Sequence, residues 1–104
     1  MRVELTDRGT VRLDADTAHR INAGSGVLVR AKGDELSLTF LAPTAVGGLI
    51  LKQTSAAGDR AVLVIEQIRD LDWTPGHRDA IWNESDRTLT VPLKAHAPAE
   101  ELAR

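Results

Sequence analysis

Short runs of alternating hydrophobic and polar residues follow one another along this chain, separated by glycine, aspartate and proline. Val3 and Leu5 alternate with charged residues up to Asp7-Arg8-Gly9, where the first run stops. Comparable runs recur around Val11, Val27, Leu36, Leu49, Val62 and Leu89. A period of two residues is typical of a half-buried strand. The sequence therefore predicts a mainly β fold, a small barrel or sandwich of hairpins.

The first part of the chain is predicted to hold two strands and one short helix. The strands cover residues 2–6 and 10–13, and the helix covers residues 15–21. Asp14 has the side chain of a good helix N-cap, and the segment 22–26, which contains two glycines, ends the helix. A hairpin follows, with strands 27–32 and 35–41 joined by Gly33-Asp34, a favoured two-residue turn.

The second part is predicted to hold two further hairpins within one domain of residues 1–93. We expect a connector at 42–48, a hairpin of strands 49–54 and 60–67, a loop at 68–79, a hairpin of strands 80–82 and 87–93, and a loose tail at 94–104.

Residues 61–65 read Ala-Val-Leu-Val-Ile and are apolar at every position. A strand of this kind is covered on both faces, by its own domain or by a partner. Val62 and Val64 are therefore candidate interface residues. Because the chain has 104 residues and only three aromatic ones, its core is thin, so we expect a dimer or a larger assembly.

Two tryptophans stand out in a chain so poor in aromatic residues. Trp82 precedes a predicted turn and alternates with Ala80, which favours packing in the core over an interface role. Trp73 lies in a loop with Pro75 and Gly76 among acidic residues, where core packing is harder to arrange. Since tryptophan is enriched at interfaces, Trp73 is the leading candidate interface residue, with the core as the alternative.

Composition and candidate chemistry narrow the functional classes. The chain has 13 basic and 15 acidic residues, and its first 43 residues are neutral, so no basic stripe typical of a nucleic-acid binder is visible. It has no cysteine, and charge within the first four residues argues against a secretory signal. We expect a cytoplasmic protein without disulfides or a membrane-spanning segment.

The sequence gives no signal of an enzyme. His19, His77 and His96 are far apart in the sequence and would have to converge with carboxylates to hold a metal. Ser25 lies between two glycines but lacks the full nucleophile motif, and Lys52 does not belong to a phosphate-binding loop. We therefore expect no catalytic residue, no cofactor and no metal.

A resemblance to a known family covers roughly residues 1–41. The segment Thr6 to Leu13, a short helix with Arg20, and the segment Gly24 to Val29 resemble the AbrB/SpoVT swapped-hairpin family. That resemblance implies a strand, a glycine turn, a second strand, a short helix and a hairpin, with two chains interleaved in a barrel. Many members bind DNA through basic residues near the first turn, and the matching positions are Arg8, Arg12 and Arg20.

The chain departs from that family at three motif positions, where Thr10 replaces the usual glutamine, Asp14 replaces the usual proline and Gly24-Ser25-Gly26 replaces the usual Gly-Asp. Asp14 and Asp16 also make phosphate contact there less favourable. A fainter resemblance of residues 47–64 is to small accessory proteins of bacterial redox complexes of the hydrogenase type.

Two functional hypotheses remain open from the sequence. The first is a non-enzymatic protein-interaction or assembly module, including an accessory or scaffold subunit of a larger bacterial complex. The second is an AbrB-like dimeric DNA-binding regulator or antitoxin. The balanced charge of the first half favours the first hypothesis, and the resemblance favours the second.

Overall fold

The computed structural model of the chain describes residues 1–42 and 47–95. These residues form the following strands and helices: β1 (Arg2–Leu5), β2 (Thr10–Leu13), α1 (Ala15–Arg20), β3 (Gly26–Lys32), β4 (Glu35–Phe40), β5 (Leu49–Ile50), β6 (Lys52–Gln53), β7 (Arg60–Leu63), α2 (Ile65–Ile68), β8 (Gly76–Asp79), β9 (Ile81–Asn83) and β10 (Thr88–Pro92). The prediction of a mainly β fold is confirmed.

The strands form two antiparallel five-stranded sheets that join at two corners. The first sheet has the order β6-β7-β2-β1-β8, and the second has the order β5-β3-β4-β10-β9. One chain segment supplies both β5 and β6, and another supplies both β8 and β9. At the bends, Leu51 N donates a hydrogen bond to Ser25 O at 2.8 Å, and Ala80 N donates to Met1 O at 2.6 Å. Hydrogen bonding therefore runs around a closed barrel.

The interior of the barrel is filled by apolar side chains, most of them aliphatic and from alternate strand positions. Those exposed by 3% or less are Val3, Leu5, Val11, Leu13, Ile21, Val27, Leu36, Leu38, Phe40, Leu51, Val62, Val64, Ile68, Ala80, Leu89, Val91 and Leu93. Burying a side chain of this size stabilises the fold by about 1.5–3 kcal/mol. The core is thus the main source of stability, in spite of the few aromatic residues.

The β3–β4 hairpin forms as predicted. Lys32 pairs with Glu35, so that Gly33 and Asp34 make the two-residue turn. Gly33 has a φ of +62°, a left-handed conformation that favours glycine at the first turn position. Since the register is fixed at the turn, Leu36 and Leu38 both face the core.

Helix α1 is held at its N-terminus by two aspartates. Asp14 Oδ1 accepts a hydrogen bond from Thr17 N at 2.7 Å, as expected for an N-cap. Asp59 Oδ1, from the segment before β7, accepts one from Ala15 N at 2.7 Å. The bond from Thr17 lowers the pKa of Asp14 below its ordinary value. The helix therefore begins where the sequence predicts and is tied to the second half of the chain.

The predicted strand 60–67 is wrong beyond Leu63. Strand β7 ends at Leu63 and helix α2 begins at Ile65, so residues 61–65 are not one strand covered on both faces. Ile65 packs over Gly9, where an added Cβ would lie 2.6 Å from Ile65 Cβ. Val64 N also donates to Gly9 O at 2.8 Å. This contact with the β1–β2 turn redirects the chain into a helix.

The predicted loop 68–79 also needs correction, because its last four residues form β8. This strand pairs with β1 from Leu5↔Gly76 to Arg2↔Asp79. The predicted strand 49–54 is divided into β5 and β6 by the bend at Leu51. The last hairpin forms as expected, from β9 and β10. The predictions for the connector 42–48 and the tail 94–104 fall largely outside the described residues.

The two halves of the chain repeat the same arrangement around a pseudo-two-fold axis. In each half, two strands, a helix and a hairpin follow in that order, and the strands interleave with those of the other half. Val11 and Val62 occupy equivalent places and pair with each other. In the β4–β10 ladder, the pair Leu36↔Val91 is equivalent to the pair Leu38↔Leu89. Seven inward-facing positions correspond between the halves. In the first half they are Val3, Leu5, Val11, Leu13, Leu36, Leu38 and Phe40, and in the second half, in the same order, they are Leu49, Leu51, Val62, Val64, Leu89, Val91 and Leu93.

Candidate protein-binding surface

The outward face of the first sheet is charged, and its charges are neighbours of opposite sign. Glu4 lies opposite Arg12 on β2 and His77 on β8, and Arg2 lies opposite Asp79. Arg12 Nη1 is 3.5 Å from Glu4 Oε1. Opposite charges across strands stabilise a sheet by a modest amount. The charged residues of this face are therefore explained by cross-strand pairing within the sheet.

The outward face of the second sheet has a different chemistry, with hydroxyl groups at its centre. Thr39 pairs with Thr88, and Ser37 pairs with Thr90, across the β4–β10 ladder. The Oγ1 atoms of Thr39 and Thr88 are 2.9 Å apart and share a hydrogen bond. All four residues are half-buried. The side chains at the centre of this ladder are thus polar but uncharged.

Two exposed aliphatic side chains flank this hydroxyl ladder, and a third lies one strand further out on the same face. Leu28 on β3 is opposite Thr39, and Ile81 on β9 is opposite Thr90. Ile50 on β5 is opposite Gly26, which has no side chain to cover it. Leu28, Ile50 and Ile81 are exposed by 51%, 75% and 71%. We call these three residues together with Ser37, Thr39, Thr88 and Thr90 the neutral face.

Charged residues lie at both ends of the neutral face, and Glu84 and Asp86 are exposed in the β9–β10 turn next to Thr88. Lys32 and Glu35 pair with each other next to the hairpin turn, and Arg30 lies one step inward, opposite Ser37. Protein interfaces are depleted of charge at their centre and have a polar rim. Apart from Arg30, which is in one row with Ser37, Thr90 and Ile81, the neutral face has this distribution. Its exposed aliphatic residues gain free energy when a partner removes them from water.

The predicted interface residues Val62 and Val64 are not on the surface. Their exposed fractions are 1% and 0%, because both side chains point into the barrel of their own chain. Leu63, between them, points outward and is 58% exposed. The apolar run 61–65 therefore combines two core residues with one exposed leucine, and the prediction that Val62 and Val64 contact a partner is wrong.

Trp73 is half-buried and packs against the core, so it occupies a position intermediate between the two roles considered for it. Its loop is fixed on both sides, because Thr74 N donates to Leu93 O at 3.0 Å and Lys94 Nζ lies 2.6 Å from Asp72 Oδ2. An interface role for the remaining exposed part of Trp73 stays a prediction. Trp82 packs edge-on against Phe40, with ring centres 5.9 Å apart.

The arginines of the DNA-binding hypothesis lie on three different elements. Arg8 is in the β1–β2 turn, Arg12 is on β2 and Arg20 is in the last turn of α1, and all three are exposed. Arg12 is already paired with Glu4. Its equivalent in the second half is Leu63, so the pseudo-two-fold axis does not repeat this positive charge.

Sequence reasoning did not predict a structural role for Arg78, which is only 3% exposed. Its guanidinium donates five hydrogen bonds of 2.5–3.2 Å, to the carbonyl oxygens of Thr74, Gly76, Pro92 and Leu93. Burial lowers its pKa. Because all five donors are used within the chain, Arg78 joins the 74–76 loop to the end of β10 and is a structural residue.

A cavity of about 300 Å³ opens on the charged face. Two of the acidic residues that line it, Asp14 and Asp59, already accept hydrogen bonds from α1. Within residues 1–42 and 47–95, no group of three or more metal-binding side chains is placed to hold an ion. His19 and His77 lie on α1 and β8, and His96 is outside the described residues.

In the part of the chain that the structure describes, no helix has the length and apolar character needed to cross a membrane. Comparisons with protein-family models, with curated proteins and with solved structures give no match to this chain. The functional argument therefore depends on the surfaces described above.

Proposed function

We propose that the protein is a non-enzymatic protein-binding module whose neutral face contacts a partner protein. The observation that carries this proposal is the exposure of Leu28, Ile50 and Ile81 around an uncharged hydroxyl ladder. The opposite face, with its paired charges, is suited to water. An accessory or scaffold subunit of a larger complex is the role that fits such a module.

The spacing of the exposed residues favours a protein as the partner over a small molecule. Leu28 and Ile81 are separated by three strand spacings, about 14 Å at 4.8 Å per strand, and by a further two residues along the strands. Small-molecule sites are concave, whereas this face is a sheet surface with its aliphatic groups at the margins. The partner must therefore offer a broad apolar surface with hydrogen-bonding groups at its centre.

A direct test replaces the exposed aliphatic residues by lysine. Ile50→Lys and Ile81→Lys together should weaken partner capture from the producing cell by at least about tenfold, since two buried charges would be left unpaired. Ser85→Lys, in the exposed β9–β10 turn, is the matched control and should leave capture unchanged. Equal capture by all variants, with unchanged thermal unfolding, would place the interface elsewhere.

Self-association is the simplest form that this binding could take. Sedimentation of the wild-type protein over a range of concentrations would show whether the partner is a second copy. If dimers form and Ile50→Lys with Ile81→Lys removes them, the neutral face is the dimer interface. The earlier reason for expecting a dimer, a strand apolar on both faces, no longer applies.

One observation favours the second candidate, a DNA-binding regulator. Both halves have the strand, turn, strand, helix and hairpin order that the AbrB/SpoVT resemblance implies, and the halves interleave within one chain. Under this candidate, Arg8, Arg12 and Arg20 would contact phosphates. The protein-binding proposal instead expects weak, sequence-independent DNA binding that is lost by about 0.2 M salt.

Fluorescence anisotropy with labelled duplexes would separate the two candidates. Salt-resistant and sequence-selective binding that disappears in an Arg8→Ala, Arg12→Ala double variant would favour the regulator.

A further inference from the structure

A second cavity, of about 360 Å³, lies between α1 and the segment that connects β6 to β7. Its polar lining side chains are His19, Asn22, Gln53 and Arg60, and small residues such as Ala57 and Gly58 form part of its wall. We call this cavity the basic pocket. The described residues that line it include no carboxylate, although acidic residues outnumber basic ones in the whole chain.

Arg60 is the residue that makes the basic pocket unusual. Its Nε atom is buried and has no hydrogen-bond partner among the described residues. Within the same residues, ion pairs form at Arg12, Arg69 and Lys94, and Arg60 is not among them. Because Arg60 lines the cavity and has no ion-pair partner among the described residues, its positive charge is available to an anion that enters the cavity.

The carboxylate next to Arg60 in the sequence is already used. Asp59 Oδ1 accepts from Ala15 N, and Asp59 Oδ2 accepts from Ser55 Oγ at 2.9 Å. Asp59 therefore serves the N-terminus of α1 and its own loop, and it does not pair with the neighbouring guanidinium.

The carbonyl groups at the C-terminus of α1 would otherwise repel an anion near the basic pocket. Two of them, Ile21 O and Asn22 O, accept hydrogen bonds from Arg87 Nη2 at 3.2 and 3.1 Å. His19 O accepts from Asn22 N at 3.1 Å. These bonds reduce the negative potential at this end of the helix, so that the side-chain donors determine the charge preference of the pocket.

We infer that the basic pocket binds a small oxyanion, the phosphate group of a metabolite, with Arg60 as its charged ligand. Arginine presents paired N–H donors that match phosphate geometry, and hydrogen bonds between ionised groups are stronger than neutral ones. His19 and the Asn22 amide supply further donors, whereas Gln53 Nε2 already donates to Ser55 O at 2.8 Å and has one N–H left. The small residues leave room for the rest of the ligand. This site is independent of the neutral face.

Titration with inorganic phosphate, followed by backbone amide NMR, tests the inference. We expect saturable shifts in residues 18–23 and 53–60 with a dissociation constant of roughly 1 mM, and about tenfold weaker binding by Arg60→Gln. Arg20→Gln is the matched control, because Arg20 follows His19 on α1 but does not line the pocket. Acetate in place of phosphate distinguishes a phosphate site from one for carboxylates.

A second pair of variants keeps the test valid if Arg60→Gln destabilises the fold. Ala57→Asp places a carboxylate in the exposed wall of the pocket and should weaken phosphate binding about tenfold, whereas Ala57→Asn, of the same shape, should bind within about twofold of wild type. No saturable shift up to about 20 mM phosphate, or equal binding by the Asp and Asn variants, would overturn the inference.

Discussion

At the scale of single residues, position in the strand decides whether a charged or apolar side chain has a structural role. Arg78 is charged but faces the core, where carbonyl oxygens replace water around its guanidinium. Leu63 is apolar but faces outward between two core valines. Neither fact follows from residue type. Both follow from the alternation of β7 and β8, which only the register of the sheets determines.

Removing the Arg78 side chain should be costly, because four carbonyl oxygens would lose a donor. We expect Arg78→Met, which keeps a long side chain, to lower the free energy of unfolding by about 3 kcal/mol in urea denaturation. Arg8→Met, at an exposed turn position, should change it by less than about 0.5 kcal/mol. Similar values for the two variants would show that the five hydrogen bonds of Arg78 contribute little.

At the scale of elements, local signals and long-range contacts both determine where strands and helices end. The β3–β4 hairpin could be predicted because Gly33-Asp34 and the alternation of Leu36, Leu38 and Phe40 agree. Helix α2 could not, because its start depends on the packing of Ile65 over Gly9, a residue far away in the sequence. Asp14 lies between these cases, since its cap was predictable and the support from Asp59 was not.

The N-cap of α1 gives a prediction with a pH dependence. Asp14→Ala should lower the free energy of unfolding by about 1 kcal/mol at neutral pH, and Asp14→Asn should cost less, because asparagine also caps helices. The folded-state pKa of Asp14 lies below its ordinary 3.8. Its charge-dependent contribution is therefore present above that value and is lost as the pH falls through the lower, folded-state pKa.

Chemical denaturation at about pH 7 and about pH 3 would check this sign. The advantage of wild type over Asp14→Asn should shrink at the lower pH. An advantage that grows on acidification would contradict the proposed cap.

Gly9 provides a test of the contact that redirects the chain into α2. Gly9→Ala places a Cβ 2.6 Å from Ile65 Cβ at a φ of +79°, whereas Gly33→Ala, at +62°, meets nothing within 4 Å. Both variants have backbone strain, but only the first has a clash. We expect Gly9→Ala to be the more destabilising by at least about 1 kcal/mol in thermal or urea unfolding. Equal losses would show that Ile65 moves aside freely.

At the scale of the whole molecule, much of the fold was predictable, but the candidate binding surface was not. Alternation predicts the strands, because each local run specifies one buried face. The neutral face combines Leu28, Ile50 and Ile81, which are brought together only by the order of strands in the second sheet. The internal repeat was missed for a related reason. Its halves share inward-facing positions but few residue identities. Arg78, which pairs with Val3, is equivalent to Val27, which pairs with Leu49.

The interleaving of the halves gives the last prediction. Four strand pairings join one half of the chain to the other: β1–β8, β2–β7, β3–β5 and β4–β10. Fragments 1–46 and 47–104 should therefore each lack a cooperative unfolding transition. Mixed together, they should form a one-to-one complex with the circular dichroism spectrum of the intact chain. Val11→Asp in the first fragment should prevent assembly, because Val11 is buried against Val62 on the pseudo-two-fold axis, whereas Arg8→Asp should not.

A first fragment that folds alone as a monomer would show that the closed barrel is unnecessary. If it folds as a homodimer, the first half retains the symmetric assembly that the AbrB/SpoVT resemblance implies, and the second half is replaceable.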